Sequence, residues 1–347
     1  MTEFAEVKLA ENIPGLGLQG QTVRLALTPA DVHVTEELAT YLAGYRPFTL
    51  RAPEVSKAII VPNDFDTYRT FSADNAFLPV QVKGSLTGDI PLVDPQSTTA
   101  TFTAQHRYCG SLVSRITEQQ SKFNVRQAST KRCVKALALD LEIDVWTMLV
   151  ATANWASSSY YTTLVAGQCW DEAGGNPIKD LMARISASAQ LVNGIWMNYD
   201  SASAMLQNTN VKDWLAAIGS KDIVTKTLVE LGATGEDENY DFKLPLLPRI
   251  HVVMGKYSAT PGATPSSILG DDVVLTTSPP GEPTDGEDIA TTYTFRRAGI
   301  AGVGYDIREV PIETRGPSGA TLCIVSTSDK PVMTGTSCGG LIKNTIK

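Results

Sequence analysis

The sequence is short of histidine, of paired cysteines, of long apolar runs and of positive charge, and each shortage weighs against a class of protein. Its five cysteines, Cys109, Cys133, Cys169, Cys323 and Cys338, form no CxxC pair and leave an odd one over. That argues against a disulfide framework and against a zinc site. Only His33, His106 and His251 occur, and no GxSxG, HExxH or Walker string is present in 347 residues, so nothing supplies a catalytic set. No stretch approaches ~18 uninterrupted apolar residues, so no membrane span is expected. Met1 to Glu6 lacks the basic start and apolar stretch of a signal peptide, and the protein is expected to be cytosolic when made. Basic residues number 29 against 37 acidic, a formal net charge of -8. A nucleic-acid reader must neutralise phosphates and carries a basic balance or a dense basic stripe. The nearest candidate, Lys122, Arg126, Lys131, Arg132 and Lys135, spreads five charges over fourteen residues. It reads better as a solvated or subunit-facing helix entry than as a phosphate contact.

What is present is a globular composition, 43% hydrophobic and 19% charged, in a chain long enough for two domains or one large one. Residues 1–55 have Gly and Pro punctuation and short apolar clusters, and read as an arm. Lys57 to Pro62 suits a strand. Phe77 to Lys83 and Thr99 to Gln105 show strand-like alternation around the turn-rich segment Gly84 to Pro95. Together they read as a long hairpin with little to bury on either face, marginal alone and with edges open to a partner strand. A helix follows from about Ser129 to Asn154, roughly 38 Å long at ~1.5 Å per residue. Val134, Leu137, Ala138, Leu141, Val145, Met148 and Leu149 make one apolar stripe. Leu139, Ile143, Trp146 and Val150 make a second, with Asp140 and Asp144 between them. Two stripes must be covered from two directions, so this helix is a backbone of the fold.

Asn176-Pro177 opens a second helix with a cap residue and then proline. Gly194 to Asn198 reads as a strand, and Asp200 or Ser201 as the cap of a short helix through Leu206. Val211 to Ile218 and Ile223 to Leu231 read as two more helices, each ended by glycine. Arg249 to Met254 and Asp272 to Thr276 read as strands, as does most of the last fifty residues. Gly15 to Gly20 matches GxGxxG literally, but no apolar strand precedes it and no helix follows, so a flexible arm is favoured over a cofactor loop. Glu236, Asp237, Glu238 and Asp241 lack the spacing and glycine of a calcium loop and read as an exposed acidic loop. His106 and His251 fall in or beside strands, where structural roles are expected.

In their order and spacing, several stretches resemble the major capsid proteins of tailed bacteriophages with the Hong Kong 97-type fold. They are Lys131 to Asp140 continuing to Asn154-Trp155, then Gln168-Cys-Trp-Asp171 and Asn176 to Leu181. Trp196-Met-Asn-Tyr-Asp200, Leu247 to Val253, Val325 to Met333 and Gly340 to Lys343 complete the set. The match covers about two-thirds of the chain; the arm and hairpin match by character only. The resemblance implies an α+β fold with an N-terminal arm (1–55) and an extended hairpin loop with a peripheral strand (56–108). A peripheral domain with the long spine helix (109–175), an axial domain (176–325) and returning C-terminal strands (326–347) follow. It implies a shell built from hexamers and pentamers of this chain with no catalytic, cofactor or metal residues. It also implies a portal, a separate scaffolding protein because too little sequence precedes the hairpin for a fused one, and enclosed double-stranded DNA without sequence-specific contact. Phe77, Val80, Val82, Lys83 and Phe102 of the hairpin, and Lys122, Arg126 and Arg132 at the helix entry, are the expected subunit contacts. Lys83 and Asn344 are the only positions that could be nominated for a covalent cross-link, and nothing around them supplies its acid–base chemistry. An encapsulin-like compartment is the alternative of the same fold, and a soluble α/β enzyme the alternative of a different class.

Overall fold

The computed structural model describes residues 6–7, 23–24, 50–70, 98–121, 124–218, 241–258, 263–279, 281, 289–298, 305–313 and 319–347. Its strands begin with β1 (Glu6–Val7), β2 (Val23–Arg24), β3 (Lys57–Val61), β4 (Phe65–Thr70), β5 (Thr98–Thr103), β6 (Gln105–Ser114), β7 (Tyr161–Thr163), β8 (Gly194–Asn198) and β9 (Phe242–Lys243). They continue with β10 (Arg249–Val253), β11 (Lys256–Tyr257), β12 (Ser266–Ser267), β13 (Val273–Thr276), β14 (Thr292–Arg297), β15 (Asp306–Ile312), β16 (Ala320–Met333) and β17 (Gly339–Lys343). The helices are α1 (Ala52–Val55), α2 (Arg115–Gln120), α3 (Val125–Val150), α4 (Pro177–Ala187), α5 (Tyr199–Gln207) and α6 (Thr209–Ala217). The chain divides into two compact units. The first takes Met1–Tyr45, Tyr108–Val134 and Gly299–Thr327; the second takes Arg46–Arg107, Lys135–Ala298 and Ser328–Lys347.

The long helix starts four residues before the expected Ser129. Asn124 explains the difference: its Oδ1 accepts from Gln127 N at 3.1 Å, satisfying one of the orphan donors of a helix start. At the far end the side chains of Asn154 and Trp155 donate to the carbonyls of Met148 (2.7 Å) and Leu149 (3.0 Å). Those residues therefore cap α3 rather than extend it, and Thr152–Asn154 is a separate 3-10 turn. Leu137, Leu141, Val145 and Leu149 of the first stripe are buried. The second stripe is less uniform, with Trp146 fully buried and Leu139 and Ile143 half-buried.

In the second unit a six-stranded sheet runs in the order β7-β17-β13-β8-β10-β9. Its centre is a parallel pair, β8 and β10, with Ile195 beside Ile250 and Met197 beside Val252. Successive side chains of a strand point to opposite faces, and β8 is buried on both. Ile195 and Met197 pack with Leu181 of α4, Met205 and Leu206 of α5 and Leu215 of α6. Trp196, on the other face, packs with Leu141, Val145, Trp146 and Leu149 of α3. Continuous burial is why this strand reads as an apolar run without alternation. The tight entry into β17 requires a glycine: Gly339 has φ 130°, and a Cβ there would lie 2.2 Å from the Leu275 carbonyl oxygen.

The same unit places β14 between β3, parallel to it, and the C-terminal part of β16, antiparallel to it. The hairpin base differs from expectation. Thr98–Thr103 pairs with Phe65–Thr70, Phe65 opposite Thr103 and Thr70 opposite Thr98; Phe77 to Lys83 lies outside the described residues. Phe65-Asp-Thr-Tyr-Arg-Thr70 is too polar to announce itself as a strand. Nor is the base without anything to bury, because Phe102, Tyr68, Phe295, Ile59 and Val61 form a small core of their own.

In the first unit β15 pairs antiparallel with the N-terminal part of β16, from Asp306 opposite Ser326 to Ile312 opposite Ala320. Cys133 and Cys323 are buried there as small apolar side chains.

Helix caps refine the short elements. Asn176 Oδ1 accepts from Lys179 N at 3.1 Å, the expected start of α4. The cap of α5 is Asn198 rather than Asp200 or Ser201, its Oδ1 accepting from Ser201 N at 2.6 Å. Asn208 caps α6. The expected helix over Ile223 to Leu231 lies outside the described residues. Among the described residues no helix is long and apolar enough to cross a membrane.

Candidate assembly surfaces

Five of the eight expected contact residues, Phe77, Val80, Val82, Lys83 and Lys122, lie outside the described residues. Phe102 is placed inside its own chain, only 3% exposed, its ring stacked on Phe295 with centroids 4.4 Å apart. It stabilises the hairpin base and offers no surface to a neighbour. Arg126 is half-buried and already engaged within its unit, with Nε 2.6 Å from Glu118 and Nη1 3.1 Å from Glu309. Those carboxylates outweigh the cost of burial and raise the basicity of its guanidinium. Of the eight, Arg132 alone is both described and exposed, on the first turns of α3.

Sequence reasoning missed the buried polar groups. Glu142 lies in neither apolar stripe of α3, yet it is fully buried. Its carboxylate accepts from Arg51 N (3.0 Å), Ala52 N (2.5 Å) and the Trp146 indole (2.6 Å). Burial pushes this carboxyl above its ordinary value, against the pull of the three N–H donors. The first turn of α1 is thereby pinned to α3. The Arg51 guanidinium turns to Glu54 (2.7 Å) and Asp241 (2.8 Å). Asp241 is therefore no member of an exposed acidic loop, and its side chain also accepts from His251 Nδ1 at 2.9 Å. Burial raises the Asp241 carboxyl, but the His251 hydrogen bond and the charges of His251, Arg51 and Arg249 outweigh it, and the net shift is downward. His251 stacks on Trp196 at 4.1 Å, the structural role expected of it. A residue at 51 and one at 241 meet only in the folded chain, so no local pattern could announce the cluster.

A second cluster centres on Arg107, buried in β6. It pairs with Asp140 and Asp144, the two aspartates noted between the stripes of α3, and with Asp329 of β16 at 3.0 Å. Burial lowers the guanidinium and its carboxylates raise it further, so it stays charged. Arg296 Nη2 lies 3.5 Å from the same Asp329.

Beyond Arg107, β6 alternates, with Val113 inside and Tyr108 and Leu112 exposed. Cys109, half-buried between them, shares a thiol hydrogen bond with Cys133 that lowers it to about 7; the same bond, with burial, raises Cys133 far above the ordinary thiol value. Elsewhere Leu191 and Leu246 stand almost fully exposed. At the carboxyl ends of β8 and β10 a pocket of about 130 Å³ opens between Tyr199, Val253, Met254 and Ser267. Among the described residues no group of three or more His, Cys, Asp or Glu side chains is placed to hold a metal ion.

No family model matches the chain, and no curated protein matches it in sequence. Solved structures do match in fold. A phage-related protein from Bordetella bronchiseptica RB50 superposes with a TM-score of 0.66 at 17% identity, covering 90% of this chain and 98% of its own. The capsid of the native GTA particle gives 0.51 at 11% identity, covering 86% and 91%. The capsid of the empty GTA particle gives 0.50 at 12% identity, covering 86% and 90%. The chain therefore has the α+β fold of phage-type capsid proteins, the Hong Kong 97-type fold that its sequence resembles.

Proposed function

We propose that this chain is the major capsid protein of a tailed bacteriophage, assembling through copies of itself into the icosahedral shell around the genome. The observation that carries this reading is the fold, shared nearly end to end with capsid proteins of assembled particles. The character of the surface supports it, since exposed Tyr108 and Leu112 on one strand suit a chain completed by neighbours.

In this reading residues 56–108 supply a peripheral strand and a hairpin loop that reaches over a neighbouring copy, with Phe77, Val80, Val82 and Lys83 as contacts. Residues 109–175 form the peripheral domain, residues 176–325 the axial domain around local symmetry axes, and residues 326–347 return to their junction. Arg132 remains a candidate contact; Phe102 and Arg126 act within the chain. Hexamers and pentamers close the shell, guided by a separate scaffolding protein and a portal. Assembly takes place in the cytoplasm of the bacterial host, and the mature protein resides in the virion. A net charge of -8 fits a wall that encloses double-stranded DNA without gripping its sequence. The role requires no catalytic step.

The test is expression of the full chain, alone and with its scaffolding partner, followed by light scattering and negative-stain microscopy. Closed shells, tubes or hexameric sheets are expected. A chain that stays monomeric in both cases would refute the reading.

A further inference from the structure

The turn between β9 and β10 is built against the preference of its own residue. Leu247 N donates to Leu244 O at 3.3 Å, closing a four-residue turn with Pro245 second and Leu246 third. Leu246 has φ 64°, the left-handed region that glycine or asparagine fills in such a turn and that a branched side chain resists. Leu246 is little covered by the described residues in exchange, for it is 77% exposed while Leu247 beside it is buried. A strained backbone that holds a leucine out into solvent points to a contact made elsewhere.

The other end of β10 carries the pocket, with Tyr199, Val253 and Met254 on its walls and Asp200 and Lys256 at its rim. Its size suits one branched aliphatic side chain. Ser267 lines it as well, and its hydroxyl is buried with no hydrogen-bond partner among the described residues. Charge offers one opposite pair, exposed Lys243 beside the leucine turn and exposed Asp200 at the rim; Arg249 lies 3.5 Å from Asp241 of its own chain, and Lys256 is the like charge at the rim. Knob and pocket are separated by a five-residue strand, about 16 Å long, so a chain cannot fill its own pocket.

We propose that Leu246 of one copy seats in the pocket at the carboxyl end of β10 in the next copy. Because knob and pocket are different surfaces, each seated copy leaves one of each free, a head-to-tail contact that closes into rings. This inference rests on the shell-forming reading and names the surfaces that carry it.

Two variants of the full chain test it. Leu246→Gly relaxes the turn, so the melting temperature should hold or rise while the concentration needed for particle formation rises at least tenfold. Leu246→Cys combined with Met254→Cys on the pocket wall, oxidised with diamide in formed particles, should give a ladder of multimers on a non-reducing gel. Wild type and the single variants are run beside it, because Cys109 is half-exposed. Assembly of Leu246→Gly at the wild-type concentration, or absence of a ladder from intact particles, would overturn the contact and leave the shell reading standing. Failure of the wild type to form particles with its scaffolding partner would remove both.

Discussion

Glu142→Ala tests whether the root of the second unit is held by one buried carboxylate. The substitution leaves two backbone N–H groups and the Trp146 indole N–H without acceptors, each worth about 1–3 kcal/mol when buried and unpaired. Part of that is returned, because burial already disfavours the charge on Glu142. The net loss should be about 3–5 kcal/mol, the range for breaking a buried polar cluster by removing one partner. That corresponds to a melting-temperature drop of roughly 10 °C for a unit of this size. Glu142→Gln should cost about 1–3 kcal/mol. It keeps Oε1 for Arg51 N and Trp146 but sets an amide NH2 against Ala52 N. The folded pKa of Glu142 lies above its ordinary value of 4.5. The proton it binds therefore stabilises the fold fully below that value, and the contribution is lost as pH rises through the folded pKa. The gap between wild type and Gln should accordingly be wider at pH 4.5 than at pH 8. Urea unfolding of the unassembled chain, followed by tryptophan fluorescence, measures all three proteins. An alanine variant within about 1 kcal/mol of wild type, against the unpaired-donor cost above, or a glutamine variant worse than alanine, would refute the reasoning.

Other expectations follow from the same geometry. Arg107→Met should cost about 2–3 kcal/mol, below the range for a buried charge left alone, because Asp329, almost fully buried, loses the cation 3.0 Å away but keeps Arg296 at 3.5 Å; Arg107→Lys should recover only part, since a lysine cannot fork to three carboxylates, and urea titration ranks the two. The exposed partners Asp140 and Asp144 should matter much less, each changing stability by under about 1 kcal/mol on conversion to Asn. Cys109, lowered to about 7, should be the first cysteine alkylated by iodoacetamide in the unassembled chain near neutral pH, and peptide mass mapping identifies it; Cys109→Ser should abolish the fast phase. Asp241, held below its ordinary 3.8, contributes stability above that value and loses it as pH falls through the folded pKa. Asp241→Asn should therefore flatten the acid limb of a stability-against-pH curve.

Much of the helical framework was legible locally. The 3.6-residue spacing from Val134 to Leu149 located α3, and Asn176 followed by Pro177 located the start of α4 to the residue, although its apolar spacing runs on to Val192 and the helix ends at Ala187. The caps at Asn124, Asn198 and Asn208 use the same chemistry but sit outside the apolar pattern, which is why the starts of α3 and α5 were displaced. Strand β4 was illegible because Phe65 and Tyr68, its two aromatic residues, stand three apart among polar ones, off the period of two, and only pairing with Thr98–Thr103 and cover from Phe295 make it a strand. Among the candidate contacts, a phenylalanine in a polar hairpin reads as a docking residue until the fold shows that Phe295 already covers it. Leu246 could have been suspected from Leu-Pro-Leu-Leu-Pro, a turn sequence with an apolar residue where glycine belongs.

By itself the sequence determined what depends on neighbours three or four residues away. That includes the long two-striped helix, the capped short helices, the apolar run of β8 and the class of fold that their order resembles. Tertiary structure alone decided which polar groups leave water. Glu142, Asp241 and Arg107 have partners 91, 190 and 222 positions away in the chain, and a charge can be buried only where such distant partners converge to replace its hydration.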